Sequence, residues 1–460
     1  MALPVSLLQA VSVPGGGRIA LVVGAGCSFE EPTGIPLAGT CSEQSHARLV
    51  ADGAIETGEC KEPRNLSKLA DLLYQKNGSQ RLLVEQLRQH YALKTASPNE
   101  GHKLAIALLC EGALNSILTL NFDLAFSTAV GELGVGATIG VVDGPADFAN
   151  QRPLSVFYLH RNANETDPEA WVLRTDALER EWVGGWEAVV AAKLIASPVV
   201  VFVGLGSPAD VLVESSRKIR AGVPAGSQTF QVDPGDFGAS PFAAALAIDE
   251  SSFIKMKWSE FMFELSQRMV KAQMATLKEE ADRFTDLNHL ATENLDSLIA
   301  NLEKAGLLEL GKLRASWTLH PKLYRPDNDG VRGLLADLLL ATALIARNLR
   351  SKVKIHSTGI VEFDISGRVA TVILASGSGI RNVSAVEADL GVRLRQLRTL
   401  PAMPVLGVAT GVLSHSPIAP PVDLVVDDQS SSIIYGNSQL RMFSADSLRA
   451  DPNSIVELIV

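Results

Sequence analysis

Short, mainly apolar runs that stop at glycine or polar residues recur through the first half of the chain. Ile19-Ala20-Leu21-Val22-Val23 stops at Gly24-Ala25-Gly26, and Ile117 to Leu120 stops at Asn121 and Asp123. Val156 to Leu159 stops at His160, and Val199 to Val203 runs into Gly204-Leu205-Gly206-Ser207. A half-exposed strand alternates apolar with polar residues, whereas strands buried on both faces do not, so these runs predict buried parallel strands. Between them the apolar period is helical. Leu66, Leu69, Ala70 and Leu73 share one helix face, and Asn77-Gly78 breaks the run. Leu82, Leu83, Leu87 and Tyr91 resume it after a Ser79 cap, and Leu104, Ala107, Leu108 and Leu109 follow Ser97-Pro98-Asn99. Residues from about 40 to 113 therefore read as a helical insertion after the first strand.

From Ser116 the alternation continues. A helix is predicted from Leu124, and short strands over Ala137 to Val142 and Ser155 to Leu159, separated by a Gly144-Pro145 turn. An amphipathic helix spans Ala177 to Ala196 with an interruption at Gly184-Gly185, Thr229 to Val232 is a strand ending at Asp233, and Phe253 to Trp258 is the last strand. Alternating strands and helices predict an α/β fold, a parallel Rossmann-like sheet covered on both faces. A short helix or arm and the Pro14-to-Gly17 turn precede it.

Beyond it the pattern changes. A helix from Ser259 to Phe284 and another from Asn294 to Leu310 lead to a hairpin pattern over Arg314 to Tyr324 and an apolar helix from Leu334 to Leu349. Helix then hairpin is the order of a winged helix, but without a basic cluster on that helix a helical linker is the better reading. From Lys352, strand-like runs at Val361 to Ile365, Val369 to Leu374, Pro404 to Val408 and Leu424 to Val426 predict a small α/β or α+β domain, and Gly377-Ser378-Gly379 reads as a turn. The expected organisation is a catalytic domain over 1–285, a linker over 286–350 and a regulatory or interaction domain over 351–460.

Composition narrows the function. A net charge of −10 argues against binding nucleic acid through the overall field. The longest apolar segments, Leu194 to Gly206 and Leu334 to Ala346, fall short of the about 20 residues a membrane helix needs, and Asp337 interrupts the second. No basic residue precedes Arg18, so no secretory signal is read and the cytoplasm is expected. Cys27, Cys41, Cys60 and Cys110 form no C-x-x-C pair, which predicts reduced thiols and no zinc knuckle.

The four strand ends carry the candidate chemistry. Gly24, Ala25, Gly26 and Ser28 form a phosphate-loop pattern, in which missing Cβ atoms admit a pyrophosphate and N–H groups with the Ser28 hydroxyl donate to it. In open α/β sheets, ligands bind beyond the carboxyl ends of the strands, the edge that all four motifs share. A hydride-transferring dinucleotide enzyme places an acidic residue at the end of a second strand about 20 residues on. Here that window, SEQSHARLVADG, holds Glu43 and Asp52 but no strand, which disfavours hydride transfer. Asn121 and Asp123 also suit helix capping, and Gly204-Leu205-Gly206 and Asp233 suit plain turns.

Taken in order, the glycine loop with its T-G-I-P continuation (Thr33 to Pro36), the T-x-N-x-D element (Thr119, Asn121, Asp123), His160 and the late G-x-G-S resemble the sirtuin-like family over roughly the first 270 residues. The resemblance implies a sirtuin-type sheet binding NAD+, with Asn121 positioning the ribose hydroxyls and water, Asp123 accepting from the nicotinamide carboxamide, and His160 as general base. Gly24, Ala25, Gly26, Ser28, Thr119, Gly204, Gly206, Ser207 and Asp233 would hold the phosphates and ribose. The departures are specific. The four-cysteine zinc module is missing, so no zinc is expected; Arg161 stands where the family follows the histidine with glycine, and Leu37-Ala38-Gly39 replaces the segment that helps hold nicotinamide. This combination resembles the zinc-less bacterial NADases of anti-phage defence. It implies an NAD+ glycohydrolase yielding nicotinamide and ADP-ribose, restrained or triggered through its C-terminal region by a protein, nucleotide or nucleic acid, and homo-oligomeric through its long helices. A protein deacylase or ADP-ribosyltransferase, and a non-catalytic nucleotide-binding scaffold, are the alternatives.

Overall fold

The computed structural model describes residues 3–12, 18–136, 138–206, 210–223, 226–288, 293–317, 341–346, 349, 351–356, 359–365, 367–375, 380–395, 405–409, 412–414, 440–451 and 454. The chain divides into two compact units, Met1–Met269 and Val270–Val460.

In the first unit, α1 (Val5–Ser12) precedes β1 (Ile19–Val23). Four helices follow: α2 (Ala38–Ala51), α3 (Leu66–Asn77), α4 (Arg81–His90) and α5 (Glu100–Cys110). The chain then alternates through β2 (Leu114–Thr119), α6 (Ala125–Glu132), β3 (Ile139–Val142), α7 (Pro145–Ala149), β4 (Leu154–Tyr158), α8 (Thr175–Gly184) and α9 (Trp186–Ile195). It continues with β5 (Val199–Val203), α10 (Asp210–Ala221), β6 (Gln228–Asp233), α11 (Pro241–Leu246) and β7 (Phe253–Lys255). These strands form one sheet in the order β3-β4-β2-β1-β5-β6-β7, parallel at every pairing. This is the Rossmann-like α/β class expected from the apolar runs. All five residues of β1, β4 and β5 are buried, as a sheet covered on both faces requires.

Register decides which strand ends meet. Val23 of β1 pairs with Thr119 of β2 and Val203 of β5, and Thr119 pairs with Tyr158 of β4. Four strands thus end at one level, and the residues that follow them share one edge. On one side of the sheet, Ala20, Val22, Leu118, Phe157, Val200 and Phe202 pack with Leu194, Leu212 and Phe242 from the covering helices. The insertion has its own core, in which Leu69, Leu73, Leu83, Val84 and Leu87 gather around Trp171.

Local chemistry bounds the insertion helices. Asn65 caps α3 by accepting from the N–H groups of Ser67 and Lys68, and Gly78 ends it with φ 65°. Ser79 is not the cap of α4. Its hydroxyl accepts from the N–H of Arg81 and donates to Glu169, while Gln80 holds the cap position. Gly144-Pro145 is more than a turn, since Gly144 caps α7 with Pro145 in its first turn, where the missing N–H costs nothing. The last strand stops at Lys255, and Trp258 instead opens α12 (Trp258–Asn288), its indole N–H donating to Asn99. Glu43 lies in α2 and Asp52 caps its end, so the window after the glycine loop is helix.

In the second unit, α13 (Glu293–Trp317) includes Arg314 to Trp317, which the hairpin expectation made strand. The strands β8 (Lys352–Ile355), β9 (Ile360–Ile365) and β10 (Arg368–Ala375) form an antiparallel meander. Beside β10 lie β12 (Val405–Ala409) and β14 (Leu440–Ser444) in parallel, giving the order β14-β12-β10-β9-β8. β11 (Ile380–Asn382) and β13 (Val412–Ser414) make a separate pair, and α14 (Val383–Arg395) and α15 (Ala445–Ala450) complete the unit. Residues 341–346 are helical, as the apolar period predicts. The expectations for 14–17, 318–324, 334–340, 377–379, 404 and 424–426 lie outside the described residues, as does Ser207. Among the described residues no helix is long and apolar enough to cross a membrane.

Candidate active site

A cavity of 840 Å³ opens at the carboxyl edge of β1, β2, β4 and β5. Its floor is Gly24, Ala25, Gly26, Ser28, Leu120 to Asp123, His160 and Gly204 to Gly206. Its walls are the first turn of α2, the 62–67 segment entering α3, and Leu87, Tyr91 and Leu173. The volume falls in the range of small-molecule and cofactor sites.

The glycines meet one another before they meet any ligand. Gly24 N–H donates to Val203 O at 2.9 Å, and Gly26 N–H donates to Gly204 O at 3.0 Å. A Cβ on Gly24 would lie 2.6 Å from Gly204 O, and one on Gly26 would lie 2.7 Å from Gly204 Cα. Gly204 has φ +67°, and its own Cβ would reach Cys27 N at 2.7 Å. The glycines therefore let two strand-end loops close on each other, which revises the reason expected from the sequence. The N–H groups of Gly24, Gly26 and Cys27 are committed to protein carbonyls. Thr33 of the T-G-I-P segment is likewise structural, donating to Ser97 O at 2.7 Å and accepting from Asn99 N–H.

Beyond β2, the side chains that line the cavity also make structural hydrogen bonds. Thr119 Oγ1 accepts from Asn121 N–H at 3.1 Å, forming the turn that carries Asn121 over the cavity, and Thr119 itself is buried outside it. Asn121 Nδ2 donates to Gly24 O at 3.1 Å and to Ser28 Oγ at 3.0 Å, and Ser28 in turn donates to Asp123 Oδ2 at 2.8 Å. Asp123 Oδ1 accepts from Ala125 N–H at 3.0 Å, so it also holds the first turn of α6. Burial raises the Asp123 carboxyl above its usual value, and the Ser28 hydrogen bond opposes that shift. Ser28 thus bridges Asn121 and Asp123.

His160, just beyond β4, lines the cavity half-buried, 6.2 Å from the Phe122 ring between centroids. Phe122 stacks on Trp171 at 4.6 Å. Burial pulls the imidazole down to about 4; the Arg161 charge adds to this, and a hydrogen bond with the Leu120 backbone opposes it. The ring is neutral at pH 7, with a lone pair available for a proton.

Asp233 ends β6, and its Oδ1 accepts from Gly235 N–H at 2.7 Å; it does not line the cavity. Cys27 is fully buried and outside the cavity, and burial together with the charges of Glu30 and Asp123 raises its thiol well above the usual value. Two residues gain importance that local patterns conceal. Asn99 caps α5, donates Nδ2 to Cys27 O at 2.8 Å and accepts from the Trp258 indole at 3.1 Å, tying the glycine loop to α12. Arg64 is the one Lys or Arg among the described residues lining the cavity. Only the helix-start signal at Asn99 was visible in the sequence; neither long-range contact had a local signature. Among the described residues no cluster of three or more His, Cys, Asp or Glu side chains could hold a metal ion.

No family model matches the sequence, and no curated protein matches it. Among solved structures the chain is similar to a Sir2 homologue mutant with ADP-ribose, at 14% identity and TM-score 0.38 over 59% of this chain and 98% of that one. It is also similar to a Sir2 homologue–NAD complex, at 14% identity and TM-score 0.37 over 59% and 95% of the two chains. A third is Sir2 with a deacetylated p53 peptide and an acetylated ADP-ribose, at 14% and 0.33 over 58% and 98%.

Proposed function

We propose that the cavity hydrolyses NAD+ at the bond between nicotinamide and ribose, releasing nicotinamide and ADP-ribose. The observation that carries this reading is the meeting of Asn121, Asp123, Ser28 and neutral His160 on one cavity floor beside the paired glycine loops. Cleavage leaves an oxocarbenium-like ribose, which water captures. Asn121, held at Nδ2 by Gly24 and Ser28, orients the ribose hydroxyls and the water. His160 takes the proton that the water or a ribose hydroxyl gives up. Asp123 accepts from the carboxamide of the departing base, which fixes the nicotinamide ring for bond breaking.

NAD+ depletion in phage-infected cells is the cellular role proposed with this activity, with the second unit restraining or triggering it. The test is nicotinamide release from NAD+ by the full-length chain, with Asn121→Ala and His160→Ala as controls and with protein acceptor added or withheld. Release without acceptor that both substitutions abolish supports the reading. Release that requires a protein acceptor replaces hydrolysis with acyl or ADP-ribosyl transfer, and binding of NAD+ without turnover under every condition points to a scaffold.

A further inference from the structure

Arg161 has φ +70°, in the left-handed region where an L side chain other than Asn or Asp is uncommon. This backbone costs about 1–2 kcal/mol for such a residue. Glycine would take the same turn without strain, so an arginine here needs a compensating contact.

That contact lies outside the cavity. Arg161 Nη1 is 2.7 Å from Glu187 Oε1, and the Glu187 side chain is fully buried while that of Arg161 is 15% exposed. The guanidinium also lies 5.6 Å from the Trp186 ring. Both partners sit in the first turn of α9, where a carboxylate is favoured by the helix dipole. The residues on either side are tied down as well. Asn162, buried, donates Nδ2 to Asp143 Oδ2 at 2.7 Å just beyond β3, and Ala163 N–H donates to Phe122 O at 2.8 Å. His160 O accepts from Val172 N–H at 3.3 Å. Neither Arg161, Asn162 nor Glu187 lines the cavity.

We propose that Arg161 is a positioning residue, whose ion pair with Glu187 holds the left-handed turn that keeps His160 on the cavity floor. The inference rests on the NAD+-hydrolase reading for its catalytic consequence, but the placement of the ring can be measured without it. Arg161→Gly keeps the turn's backbone accessible and removes the pair, Glu187→Gln removes the charge at nearly constant shape, and Arg161→Lys keeps the positive charge.

The experiment follows the ring signals of His160 by NMR in full-length chain with labelled histidine, assigned through His160→Gln, alongside NAD+ turnover. In the unsubstituted chain His160 stays neutral from pH 7 to 5.5. In Glu187→Gln, which keeps the Arg161 charge that itself lowers the imidazole, it gains solvent and titrates within that window. In Arg161→Gly it does so by more than loss of that charge alone brings. In both, kcat falls about tenfold to a hundredfold with a smaller change in KM, as for a misplaced catalytic group. Arg161→Lys recovers at least half of the lost turnover. Unchanged His160 signals in folded Arg161→Gly overturn the proposal. Should that variant fail to fold, unchanged signals in Glu187→Gln overturn it equally. A chain that never consumes NAD+ overturns the hydrolase reading instead and leaves the NMR arm to decide the positioning role.

Discussion

Gly26 and Gly204 stand back to back, the N–H of one donating to the carbonyl of the other at 3.0 Å with no room for a Cβ between them. Backbone cannot yield as a flexible side chain can. Gly26→Ala is expected to cost about 1–3 kcal/mol through overpacking. Gly204→Ala adds about 1–2 kcal/mol, because its φ of +67° disfavours an L residue. Gly206 has open space where a Cβ would go, so Gly206→Ala should change stability by less than about 0.5 kcal/mol. Urea unfolding midpoints of the three variants check this order, and a Gly206→Ala as damaging as Gly26→Ala would refute the packing role.

Ser28→Ala removes two hydrogen bonds with one atom, the donor to Asp123 and the acceptor for Asn121. Leaving the buried Asp123 oxygen without its donor should cost about 1–3 kcal/mol. It should also raise the Asp123 carboxyl further, since that hydrogen bond now lowers it. Turnover of NAD+ is expected to fall at least tenfold while the folded chain persists. Thermal unfolding and steady-state kinetics read the two effects separately, and unchanged kcat would remove Ser28 from the site's working parts.

The acid limb of turnover should lie near pH 4, where His160 is held, and not near the ordinary histidine value. A base with a pKa of about 6.5 loses roughly nine-tenths of its neutral form by pH 5.5. His160 at about 4 stays almost wholly neutral there, so kcat/KM should change less than about twofold between pH 7 and 5.5. A tenfold fall across that interval would mean that an unshifted group governs the reaction.

Acid stability follows from two histidines held neutral, His102 fully buried and His160 half-buried at the cavity. Burial lowers His102 to about 3 and His160 to about 4, whereas both bind protons near 6.5 when unfolded. The unfolded chain therefore holds more protons in this window, and stability falls as pH drops from 6.5 toward 4, with the His102 contribution lost further down to about 3. His102 packs edge-on to Phe126 and hydrogen-bonds Asn99 through Nδ1, so His102→Leu should be less stable at pH 7 yet show a shallower dependence. Melting temperatures at pH 7, 6 and 5 measure both slopes, and parallel slopes would assign the acid loss to other groups.

Mainly apolar runs, with no alternation to choose an exposed face, determined the buried parallel sheet, and the helical apolar period determined the helices between its strands. Gly78 and Asn99 marked their helix ends through local capping chemistry that acts within a few residues, whereas the Asn65 cap of α3 emerged only in the structure. The strand-end positions of Asn121, Asp123 and His160 were legible for the same reason, because each follows directly on an apolar run. Only the tertiary structure decided what those ends do together. Strand register brought Val23, Thr119, Tyr158 and Val203 level, and this made one cavity from four separate motifs. It also turned Gly24 and Gly26 toward Gly204, placed Asp233 outside the cavity and joined Arg161 to Glu187 across 26 positions of chain. Hydrophobic period and capping are properties of neighbouring residues, whereas hydrogen bonds, ion pairs and close backbone approach between distant loops exist only once the sheet has set their positions.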